Sequence, residues 1–199
     1  TTQESIDIYT ITDNVTIEIN GGEVTSSADS VLNLRGDSNI KVDINGGTLT
    51  SGSSGRVGVY VSSYEDNAIA FNISGGSIVK EGSGSAIQAY SGSTITVSGG
   101  ASIVANGNAA AVQVQGGVTP TILNVNGGSV TSESGNGISV EDDAQVNISG
   151  GSITGNGRTS SAVRADENAT VKVTGGELTG TKSAISEGTD ASDTPSITV

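Results

Sequence analysis

Two groups of residues in this 199-residue chain are of types that could do chemistry. The first is Asn33, Arg35, Tyr60, Gln88, Tyr90, Gln113 and Arg164. Aromatic rings stack on the C–H faces of pyranose rings, and amides and guanidinium groups hydrogen-bond sugar hydroxyls or carboxylates, so this set is a candidate glycan site. The second group is acidic: Glu141, Asp142 and Asp143, with Asp166 and Glu167 one repeat further on. Oxygen ligands from successive turns of chain are what Ca²⁺ accepts, which makes these residues calcium candidates. The competing reading is a solvated acidic ridge that keeps the surface soluble. Each group draws on more than one repeat, so either chemistry requires a scaffold that stacks the repeats on one surface.

A repeat supplies that scaffold. Gly-Gly pairs stand at Gly21-Gly22, Gly46-Gly47, Gly75-Gly76, Gly99-Gly100, Gly127-Gly128, Gly150-Gly151 and Gly175-Gly176, at spacings of 25, 29, 24, 28, 23 and 25 residues. Before each pair runs an alternating strand, as in Val15-Thr16-Ile17-Glu18-Ile19 or Val146-Asn147-Ile148. After it comes a short strand with one inward residue per coil, Val24, Leu49, Ile78, Ile103, Val130, Ile153 and Leu178. A polar loop then leads to a third strand with paired inward positions: Leu32 and Leu34, Val59 and Val61, Ile87 and Ala89, Val112 and Val114, Ile138 and Val140, Val163 and Ala165.

These elements predict an all-β chain, a single parallel β-helix (β-solenoid) of about seven coils with three short strands each. Strands stacked at ~4.8 Å would form three parallel sheets spanning roughly 34 Å. The handedness of parallel crossovers favours a right-handed coil. Residues 14–188 carry the repeats, 1–13 read as an N-terminal strand serving as cap or assembly segment, and 189–199 as a C-terminal strand or tail.

On that scaffold the residue before each Gly-Gly pair, Asn20, Asn45, Ser74, Ser98, Asn126, Ser149 and Thr174, should stack as a structural polar ladder. The third-strand outward positions bring the candidate glycan residues together. Acidic residues recur at the turn that follows: Asp37, Glu65, Asp66, Glu187 and Asp190 join the five named above. The second strand offers a column of Thr25, Thr50, Thr131, Thr154 and Thr179, broken by Val79 and Val104 and flanked by Glu23 and Glu177. Flat Thr arrays can bind ice, a minor alternative function.

Composition excludes several classes. Hydrophobic residues make up only 33% and aromatics 3% of the chain, with 30 Gly, so the core must be a narrow tube. The formal charge of −13 opposes nucleic-acid binding and docking on anionic membranes. No apolar run is long enough to insert in a membrane, and Thr1-Thr2-Gln3-Glu4-Ser5 has neither a charged nor an apolar leader region. Without Cys or His there are no disulfides, no thiolate or imidazole metal ligands, and no His general base. The bases present, Arg35, Arg56, Arg158, Arg164, Lys41, Lys80, Lys172 and Lys182, form no constellation with Asp142-Asp143, so no enzyme is expected. An acidic, sulfur-free, Ser/Thr/Asn/Gly-rich chain suits an extracellular, secreted or cell-surface setting.

The segment Val146-Asn147-Ile148-Ser149-Gly150-Gly151-Ser152-Ile153-Thr154, repeated with variation over residues 14–188, resembles bacterial right-handed parallel β-helix modules of the carbohydrate-binding, polysaccharide-lyase-like but non-catalytic type. The resemblance implies a calcium-assisted, adhesin-like module that binds plant cell-wall polysaccharide or surface glycan. That family often carries Asp-Asp-Gly-Ile before the third strand, whereas this chain has Ser85-Ala86-Ile87, Asn136-Gly137-Ile138 and Ser161-Ala162-Val163. The alternative is a structural stalk, or a homo-oligomeric filament in which Ile6, Ile8 and Ile11, or Ile197 and Val199, add a strand to a neighbouring subunit.

Overall fold

The computed structural model describes residues 6–10, 14–36, 39–52, 57–63, 69–188 and 194–199. Ile11, Asp37, Arg56, Glu65, Asp66 and Asp190 lie outside them. The chain is all-β, and the described residues contain no helix. It begins with β1 (Ile6–Thr10), β2 (Val15–Ser26), β3 (Leu32–Gly36), β4 (Ile40–Ser51) and β5 (Val59–Ser63). Next come β6 (Ile69–Ile73), β7 (Ser77–Lys80), β8 (Ile87–Tyr90), β9 (Ser93–Val97), β10 (Ser102–Ala105) and β11 (Val112–Gln115). Then follow β12 (Ile122–Ser132), β13 (Ile138–Glu141), β14 (Gln145–Gly155) and β15 (Ser161–Ala165). The last four are β16 (Thr170–Val173), β17 (Glu177–Gly180), β18 (Ser183–Glu187) and β19 (Ser196–Thr198).

All pairings are parallel, and each strand lies on its equivalent one coil away, giving a solenoid of about seven turns. The third strands form an eight-stranded sheet in the order β1-β3-β5-β8-β11-β13-β15-β18. The strands on either side of Gly-Gly join in one eleven-stranded sheet, so there are two hydrogen-bonded sheets where three were expected. The reason is local. In β2, β4, β12 and β14 the chain remains extended through the glycines and absorbs the corner as a register shift. A Cβ on Gly76, at φ +75°, would lie 2.5 Å from the Gly47 carbonyl oxygen of the coil beneath, so both the bend and the close stacking need glycine there.

The predicted inward residues of the third strands from Leu32 to Ala165 are all fully buried, as are Leu49, Ile78, Ile103, Val130 and Ile153. Burying each such Val, Leu or Ile is worth ~1.5–3 kcal/mol, and the stacked rungs make this the main cohesive force. The second strand has a further inward column two residues beyond the first, which its mostly polar residue types concealed: Ser26, Ser51, Lys80, Ala105 and Ser132, in register and buried. The polar members hold loop backbone. Ser51 Oγ donates to the Asp29 carbonyl at 3.0 Å and Ser132 Oγ to that of Ala109 at 2.7 Å. Lys80 Nζ donates to the carbonyls of Gly52 and Glu81.

Both terminal segments contribute rungs. Ile6 and Ile8 pair with Leu32 and Leu34, and β19 stacks on β16 with Ile197 opposite Val171. Each of these strands pairs within the chain along one edge and stands last in its sheet.

Candidate functional site

The outer surface of the eight-stranded sheet gathers the predicted polar and aromatic residues. Strand alternation turns them outward because their neighbours fill the tube. One column in register reads Asp7, Asn33, Tyr60, Gln88, Gln113, Ser139, Arg164 and Ser186. The next reads Tyr9, Arg35, Ser62, Tyr90, Gln115 and Glu141.

At its centre the Tyr60 and Tyr90 rings meet at 5.6 Å, tilted by 44°, and the Arg35 guanidinium lies 5.8 Å above the Tyr60 ring. Hydrogen bonds run outward in both directions. Arg35 Nε donates to Asn33 Oδ1 at 3.1 Å, and Asn33 Nδ2 to Asp7 Oδ1 at 3.0 Å. On the other side Gln88 Nε2 donates to Tyr90 Oη at 2.6 Å and to Gln113 Oε1 at 3.0 Å. Gln113 Nε2 in turn faces both carboxylate oxygens of Glu141 at 3.4 Å, and Ser139 Oγ donates to Glu141 Oε1 at 2.9 Å. Burial, with smaller contributions from Tyr60 and Glu141, pushes the Tyr90 phenol above its ordinary value.

Loops entering the third strands wall this surface into a groove. A recess of about 480 Å³ is lined by Asp29, Asn33, Arg35, Val57, Tyr60 and Tyr90 among others. It shares Val57, Gln88 and Tyr90 with a second recess of about 320 Å³ that reaches Ala109 and Gln113. A third, of about 630 Å³, begins at the adjacent Asn108 and continues past Asn136, Arg164 and Lys182. Arg164, the last of the predicted glycan residues, is thus apart from the tyrosines and ion-paired with Asp166 at 2.9 Å.

The acidic candidates do not gather in one place. Asp166 serves Arg164, and Glu141 accepts from Ser139 and Gln113. Asp142 accepts from the Gln115 amide, and its side-chain interaction with Glu167 first and this amide second hold it below the usual carboxylate range. Asp143 is exposed. Among the described residues no three acidic side chains converge as a cation would require. Their shared feature is conformational. Asp142 and Asp143 at φ 51° and 60°, and Glu167 and Asn168 at φ 40° and 44°, form stacked tight turns closed by Ala144 N to Glu141 O and Ala169 N to Asp166 O, each 3.1 Å.

Two groups were missed in the sequence. Asp7 and Tyr9 extend the two outward columns, and Tyr9 is 66% exposed. Their signal was present, because Ile6-Asp7-Ile8-Tyr9 has the alternation of Leu32-Asn33-Leu34-Arg35. The loop residues Asp29, Val57 and Asn108 had none, since their position depends on how each loop folds back over the sheet. The threonine column of the second strand does line up, with Val79 and Val104 interrupting it. No protein-family model, curated protein or solved structure matches the chain, so its function has to be argued from this geometry.

Proposed function

We propose that the protein is a secreted or cell-surface β-solenoid module that binds polysaccharide along the groove of its eight-stranded sheet, as an adhesin does. The observation that carries this reading is the Arg35-Tyr60-Tyr90-Gln88 cluster set in the wall-lined recess. Tyrosine faces supply stacking surface, while amides and a guanidinium supply hydrogen bonds in a concave, partly dry setting. The succession of recesses along the rod suits a linear polymer, which can occupy several coils at once. Neither a metal nor a reaction is needed for such binding.

The test is affinity electrophoresis of the parent and of the double variant Tyr60→Ala/Tyr90→Ala through gels containing neutral and acidic plant and bacterial polysaccharides. Loss of two central aromatic anchors should weaken binding at least about tenfold. Both tyrosines are outside the tube, so the melting temperature should change little. Equal retention of parent and variant on every polysaccharide that retards the parent, or no retention of either, would leave the rod with a structural stalk or filament role instead.

A further inference from the structure

We propose that Glu141, on β13, acts as a positioning residue that sets the donor and acceptor polarity of the tyrosine groove through Gln113 and Gln88, so that Tyr90 presents its hydroxyl proton and Gln88 its carbonyl oxygen to a neutral sugar. This rests on the glycan-binding reading for its ligand, though not for its chemistry.

An ionised carboxylate can only accept hydrogen bonds. Glu141, already accepting from Ser139 Oγ, therefore requires the amide nitrogen of Gln113 to face it. That leaves Gln113 Oε1 turned toward β8, where it accepts from Gln88 Nε2 at 3.0 Å. The same Gln88 nitrogen donates to Tyr90 Oη at 2.6 Å. Because the phenol oxygen receives this proton, the proton of Tyr90 itself is turned elsewhere, and it has no acceptor among the described residues. Gln88 Oε1 likewise has no donor among them. Both atoms belong to residues that line the central recesses.

The orientation of an isolated amide is a weak preference, but here each choice is dictated by its neighbour back to a group that has no alternative. A phenol is protonated across neutral and mildly basic pH, and burial extends that range upward, so the donor is present there. A ligand complementary to this pair offers an acceptor oxygen to Tyr90 and a hydroxyl proton to Gln88, as two vicinal hydroxyls of a neutral sugar do. An ionised carboxylate cannot donate to Gln88, so an acidic sugar would have to meet this pair with its hydroxyls rather than its carboxylate.

The experiment changes polarity while leaving the fold alone. Glu141→Lys puts a group that can only donate at the end of the relay, which should turn both amides over and draw the Tyr90 proton onto Gln88 Oε1. Glu141→Gln, able to face either way, should be intermediate. The double variant Gln113→Glu/Glu141→Gln moves the carboxylate one coil closer at unchanged net charge, and it should restore the parent orientation. The first readout needs no ligand: side-chain ¹⁵N–H₂ resonances of Gln88 are expected to shift and change exchange rate in Glu141→Lys and to return in the double variant. The second is binding of cellohexaose, xylohexaose and mannohexaose, by calorimetry, to every variant. A misdirected hydrogen bond should cost about tenfold in affinity for Glu141→Lys, with recovery in the double variant. Unchanged Gln88 resonances in Glu141→Lys, or failure of the double variant to restore them, would overturn the relay. Expected resonance changes with no hexasaccharide binding to the parent would uphold the relay and count against the glycan reading alone.

Discussion

Two polar ladders run along this rod on the same backbone repeat, one at the Gly-Gly corner and one on the face of the eight-stranded sheet. At the corner the side chains satisfy each other. Asn45 Nδ2 donates to Asn20 Oδ1 at 2.9 Å, Ser74 Oγ to Asn45 Oδ1 at 2.8 Å, and Ser149 Oγ to Asn126 Oδ1 at 2.8 Å. Ser98 and Thr174 turn back onto backbone carbonyls of the preceding coil. Short side chains beside glycines reach only one coil away, and they bond their like or nearby backbone without building a recess. On the other face long, unlike side chains reach along and across strands, loops wall the surface, and carboxylates at Asp7 and Glu141 end the chain of donors on both sides. Stacking alone makes stability, whereas variation within the stack makes a site.

The strongest way to break this contrast is at the corner. Gly76→Val forces a branched residue into the left-handed region with its Cβ 2.5 Å from backbone of the coil below, and should cost about 3 kcal/mol or more of unfolding free energy, read from denaturant melts. A loss below about 1 kcal/mol would mean that the corner is far softer than its geometry implies.

The inner column provides a sharper, pH-dependent case. Burial holds the Lys80 ammonium below its ordinary value of 10.5. Between that lowered value and 10.5 the folded protein binds fewer protons than the unfolded chain, so stability rises with pH across the window. Lys80→Met keeps the length and removes the charge. The parent should therefore gain in melting temperature relative to Lys80→Met as pH is raised from neutral toward 10.5. A constant difference between the two would show that Lys80 does not feel its burial.

The smallest effect is expected for the corner ladder itself. Asn45→Ala removes one exposed rung and should cost about 1 kcal/mol while leaving polysaccharide retention as in the parent. Reduced retention by Asn45→Ala would place function on the face assigned here to structure.

Much of the architecture was legible because its signals are local. Period-two alternation names the inward residues, and seven Gly-Gly pairs name the coils, so Leu32 to Ala165 could be assigned to the interior without a structure. Lys80 was hidden by its residue type: alternation sets it on the inward face with Ile78, but a lysine at the end of Ser77-Ile78-Val79-Lys80 reads as solvated, whereas the loop carbonyls of Gly52 and Glu81 draw it inside. The outward columns could also be listed, since strand register follows from the repeat.

What the sequence determined by itself, then, is which residues share a column, because a repeat converts sequence spacing into height along the rod. It could not determine which way each long side chain leans. Whether Gln88 turns to Tyr90 and Gln113, whether Asp166 faces Arg164 or a neighbouring carboxylate, and whether Asp29 and Val57 close over the sheet depend on competition among partners several coils apart. The same holds for the sheet count, which turned on whether the chain stays extended through each glycine pair. Those choices are settled by hydrogen-bond geometry and burial in three dimensions, where differences of about 1 kcal/mol per bond select one arrangement from several that the column order allows.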